Sequence, residues 1–73
     1  MENPVTGFSV DHNDKAVFCE AVMHDTYYDI LFSGVWVAAV QLTENETWIQ
    51  VSGTTLPQAT IDEIGRRIES KYD

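Results

Sequence analysis

Apolar and polar positions alternate singly from Ala16 to His24. Val17, Cys19, Ala21 and Met23 fall on one side, and Phe18, Glu20, Val22 and His24 on the other, which is the period of a β-strand. After the polar break His24-Asp25-Thr26, β-branched and aromatic residues resume from Tyr27 to Phe32 and stop at Ser33-Gly34, giving a second strand and a tight turn. Val35 to Leu42 is apolar on both parities, as expected of a strand inside a sheet. Thr43-Glu44-Asn45-Glu46 carries only turn formers and leads into a fourth strand, Thr47 to Ser52, which Gly53 ends. From Pro57 the period changes to that of a helix, with Ile61, Ile64, Gly65, Ile68 and Tyr72 on one stripe. Pro57 suits a first turn and Thr60 with Glu63 forms a competing capping box, so the spacing allows a start at 57 or at 61.

These elements predict an α+β domain, a four-stranded antiparallel β-meander packed by one C-terminal α-helix. Residues 1–73 make a single domain, with a loose arm over 1–15 holding at most one short strand, the meander over 16–52 and the helix over 57–72. Gly65 lies inside the apolar stripe. Glycine there costs about 1 kcal/mol relative to alanine, and its missing side chain lets a bulky ring, Trp36 or Trp48, approach the helix backbone.

Register decides what else the sheet does. A two-residue turn at Ser33-Gly34 sets Phe32 opposite Val35, so Tyr28, Ile30, Phe32, Val35, Val37 and Ala39 share one face and Leu31, Trp36, Ala38 and Val40 the other. One extra residue in the turn exchanges the second set, so the pattern leaves open which face meets the helix. Both faces are apolar in either register. One helix covers one face, and the other needs the amino-terminal arm, a second copy or a protein partner. Phe18, Leu31, Trp36 and Val40 are the candidate contact residues.

Charge narrows the partners. Twelve acids stand against four bases for a net charge of -8 over 73 residues, and Lys15 is the one base in the first 55. Nucleic acid is held through phosphate neutralisation, so direct binding is not expected; nor is binding to anionic membrane, which needs a basic cluster. The acidity allows a different use, mimicry of nucleic acid to occupy a basic protein groove. Cys19, the sole cysteine, has no partner for an internal disulfide, and the amino terminus lacks the basic and apolar regions of a signal peptide, which together point to the cytoplasm.

The chemistry-bearing residues are sparse. His12, His24, Cys19 and the acids of Asp11-His12-Asn13-Asp14 include metal-ligand types but none of the spacings of known sites, and a calcium loop from Asp11 fails at Lys15, Ala16 and Val22. No metal or cofactor is expected. A nucleophilic site would need Cys19 with His24, and His24 is placed to pair with Asp25 or Asp29. Cys19, on the Val17–Met23 side of its strand, reads instead as a small core residue. The expectation is a non-catalytic, self-associating or protein-binding module, with the acidic mimic as the alternative and a small ligand-binding or hydrolytic protein using His24 and Cys19 further behind.

The order over residues 27 to 72 is an apolar strand into a Gly turn, a Trp-Val-Ala strand, a polar turn, a Trp strand ending in Ser-Gly, and a helix reading Ile-Asp-Glu-Ile-Gly-Arg-Arg-Ile-Glu. This resembles a group of short bacterial proteins with no assigned activity. The resemblance implies a small four-strand, one-helix domain and carries over no functional residue.

Overall fold

Each segment read as a strand becomes one, and a further strand precedes them. The structure, a computed structural model, describes residues 3–72. Five strands, β1 (Val5–His12), β2 (Lys15–Met23), β3 (Tyr28–Phe32), β4 (Val35–Leu42) and β5 (Trp48–Gly53), precede one helix, α1 (Gln58–Tyr72). The strands form one antiparallel sheet in the order β1-β2-β3-β4-β5. The α+β meander with a C-terminal helix is therefore the fold, with one strand more than expected.

The added strand is the expected loose arm. From Val5 opposite Val22 to His12 opposite Lys15, β1 pairs with β2 without a break. Asn13 and Asp14 make this possible. Both have positive φ, 53° and 62°, the type I′ geometry whose twist matches the flanking strands, and Asn and Asp tolerate it best among non-glycine residues. Ser33 (φ 52°) and Gly34 (φ 83°) make the second such turn, with Phe32 opposite Val35 as expected. Residues 1 and 2 of the arm lie outside the described residues.

The helix starts at Gln58, with the Pro57 carbonyl accepting from the backbone N–H groups of Thr60 and Ile61. Proline can stand here because its missing N–H has no helical partner to lose. Ile61, Ile64, Gly65 and Ile68 all turn to the sheet and are buried; the Tyr72 position of the predicted stripe lies outside the described side chains. They meet Val10, Cys19, Ala21, Ile30, Ala38, Val40 and Trp48, and Leu56 closes the core from the link before α1. Of the two tryptophans it is Trp48 that lies on Gly65: a Cβ added there would overlap the indole ring. The same indole donates from Nε1 to Glu69 Oε1 at 3.2 Å, and the Trp48 carbonyl accepts from the Gln58 amide at 3.0 Å. β5 is thus fastened to both ends of the helix.

Val40 corrects one expectation. It is fully buried beneath the helix, with 0% exposure, and offers no outer contact. The cause is a β-bulge: Ile30 pairs with Ala38 and Leu31 with Trp36, so Val37 is an extra residue in β4. A bulge shifts parity by one. Trp36 stays with Leu31, whereas Ala38 and Val40 cross to the helix side with Ile30 and Tyr28, and Ala39 takes the opposite side.

Candidate functional site: the sheet face opposite the helix

Residues of alternate parity to the core line the second face. β1 places Val5, Gly7, Ser9 and Asp11 there; β2 places Phe18, Glu20 and Val22; β3 places Asp29 and Leu31. β4 contributes Trp36, and β5 contributes Ile49 at its edge. Phe18 (53% exposed) and Trp36 (47%) are the large aromatic side chains of this face, with Val5, Ile49 and Val51 also exposed and Leu31 half-buried between β2 and β4. The described part of the arm does not cover this face. By joining the sheet as β1 it makes the face wider.

Each aromatic residue lies over a glycine of an edge strand. The tip of the Phe18 ring would come within 2.9 Å of a Cβ at Gly7, and the Trp36 ring within 3.1 Å of one at Gly53. An aromatic ring over a strand glycine replaces the packing the glycine lacks, so each ring packs one end against the glycine beside it.

Trp36 is also held by charge. Its Nε1 donates to Asp29 Oδ1 at 3.0 Å, and His24 Nε2 donates to Asp29 Oδ2 at 2.8 Å. The Asn3 amide donates to His24 Nδ1 at 3.1 Å, which fixes the tautomer with the proton on Nε2. The His24 ring stacks on Tyr27, centroids 4.6 Å apart. Asn3, His24, Asp29 and Trp36 thus form one chain of hydrogen bonds along this face. Of the two acids the sequence offered to His24, it takes Asp29. Both ring nitrogens are hydrogen-bonded, Nε2 to Asp29 and Nδ1 to Asn3.

His24 and Cys19 do not form one site. Cys19 is in the core with 0% exposure, on the helix side of β2, whereas His24 bonds to a carboxylate on the other side. Burial, with a smaller contribution from the Glu20 carboxylate, raises the Cys19 thiol from 9.0 to about 12, which makes it a poor nucleophile at neutral pH. Among the described residues, no three His, Cys, Asp or Glu side chains converge on a point where a cation could sit.

Of the expected contact residues, then, Phe18, Leu31 and Trp36 share the uncovered face and Val40 does not. Sequence reasoning missed Asn3 and the clamp role of Asp29. A charged residue inside the apolar run Tyr27–Phe32 was the available signal for Asp29; nothing in the pattern marks Asn3. Grooves flank the sheet, among them one of about 420 Å³ lined by Asn3, Pro4, His24 and Tyr27. One of about 640 Å³ lies between the β2–β3 loop and the C-terminal half of α1, lined by His24, Tyr27, Tyr28, Leu42, Trp48 and Glu69 among others. Another, about 490 Å³, runs between β1 and α1. No family model, curated protein or solved structure matches the chain.

Proposed function

We propose that the protein is a non-catalytic binding module whose sheet face, around Phe18, Leu31 and Trp36, docks a protein partner with an apolar centre flanked by Lys or Arg. The observation that carries this reading is the exposure of two aromatic rings, each packed on a strand glycine, on a face that no described element covers. Pre-seated aromatic side chains lose little freedom on binding, which is why they dominate interface energetics. Charge sets the partner's character. Glu20, Asp29 and Asp11 lie on this face with no Lys or Arg, since Lys15 turns to the helix side and Arg66, Arg67 and Lys71 belong to α1. A basic flank complements that field and speeds encounter. The acidic-mimic reading is weaker, because a phosphate mimic needs carboxylates in rows and here Glu20 and Asp29 stand singly among apolar side chains.

Capture from extract of the source cells tests the reading, with the tagged wild-type chain beside Phe18→Ser/Trp36→Ser and Glu20→Lys. Support requires a protein held by the wild type, released by salt, lost from the double variant and at least several-fold weaker on Glu20→Lys. Recovery of the same proteins by all three chains, or of none, overturns it.

A further inference from the structure

The two edges of the sheet are finished differently. An edge strand exposes a row of unpaired backbone groups and invites another strand unless it is short, bulged, covered or charged. The β5 edge is bulged and partly covered. It is six residues long and out of register with β4 between Ala39 and Val40. The Gln58 side chain takes the Trp48 carbonyl, and the Gln50 amide folds back onto the carbonyls of Ser52 and Thr54 at 3.0 and 2.6 Å. β1 has fewer such devices, its one acidic residue being Asp11 beside the turn. Its eight residues contain no proline, lysine or bulge, and among the described residues no side chain bonds to its outer backbone groups.

The bond from Met23 N–H to the Pro4 carbonyl fixes which groups those are. In an antiparallel ladder hydrogen-bonded pairs alternate, so Thr6, Phe8, Val10 and His12 bond to β2. Val5, Gly7, Ser9 and Asp11 point their N–H and C=O groups outward. Alongside them runs the groove of about 490 Å³, walled by Thr60, Glu63, Arg66 and Arg67 of α1.

We propose that this edge pairs, antiparallel and about a two-fold axis, with β1 of a second copy, giving one sheet continuous across both. With the axis at Phe8, Gly7 faces Ser9 of the second copy and Val5 faces its Asp11, so no like charges stand opposite one another. The groove wall carries both signs, Glu63 beside Arg66 and Arg67, and is therefore complementary to itself across a two-fold axis. Because the β5 edge is blocked, β1 of one copy cannot pair with β5 of the next, and association closes at two chains. This pairing does not rest on the docking face proposed above, which lies on the flat of the sheet.

Proline separates the two sides of β1. The Ser9 N–H points outward, so Ser9→Pro leaves the β1–β2 ladder intact, as edge-strand prolines do, and removes a bond from the pairing. Sedimentation equilibrium at tens of micromolar is expected to give a dimer for the wild type and for Phe18→Ser, and a monomer with unchanged far-UV circular dichroism for Ser9→Pro. A monomeric wild type, a dimeric Ser9→Pro, or a dimer lost in Phe18→Ser overturns the proposal. Should Ser9→Pro fail to fold, hydrogen exchange on the wild type decides: the Gly7, Ser9 and Asp11 amides gain protection with concentration, and its absence overturns the pairing.

Discussion

At the scale of single residues, one missing side chain and one buried thiol carry the sharpest consequences. Gly65 gives up helix propensity so that the Trp48 indole can lie on the helix backbone. Gly65→Ala recovers about 1 kcal/mol of propensity but forces a rigid ring out of place, and overpacking of that kind costs about 1–3 kcal/mol. The variant is expected to be less stable than the wild type in urea titration, with altered tryptophan emission. Cys19 makes stability depend on alkaline pH. Its folded pKa, about 12, lies above the 9.0 of the free thiol; the unfolded chain therefore releases the proton first, and the contribution is complete below pH 9 and lost as pH rises towards 12. Unfolding free energy should fall across that window by up to about 1.4 kcal/mol per pH unit more in the wild type than in Cys19→Ala, and the native thiol should resist alkylation at pH 8. The close approach at Gly65 was legible from its place in the apolar stripe. Which indole fills it was not, because that depends on strand parity.

At the scale of elements, the helix and the last four strands were legible from a period of 3.6 in α1, single alternation in β2, and β-branched or aromatic runs bounded by turn residues in β3, β4 and β5. β1 was harder to read. Its inward positions, Thr6, Phe8, Val10 and His12, mix polar with apolar, and its turn uses Asn-Asp rather than a glycine. The bulge at Val37 left no mark in the pattern, since β4 is apolar at every position from Val35 to Val40 and a one-residue slip within such a run changes nothing visible. It nonetheless decides which residues are core. Val40→Asp puts an unpaired charge beneath α1, which costs about 3–5 kcal/mol, enough to unfold a domain whose total stability is of order 5 kcal/mol. Phe18→Ser on the other face is expected to cost under about 1 kcal/mol. Thermal melts of the two variants check the assignment, and equal losses would mean that Val40 and Phe18 do not stand on opposite faces of the sheet.

At the scale of the whole molecule, the sheet has one side packed by the helix and one that no described element covers. The two differ in charge as well as in cover, with all four bases kept off the uncovered side. Each strand pairs with its neighbour in sequence, so the sheet needs no long loop closure. The helix backbone comes closest to β1 and β5, and its meeting with β1 joins the two most distant parts of the chain. That meeting has a consequence for shortened forms. A chain lacking β1 would lose more than a border: β2 would become the new margin, the greasy stripe of α1 would keep only one of its two flanking walls, and Cys19 and Ala21 would come into reach of water. The opening segment, easily taken for a dispensable tail, is what seals the interior.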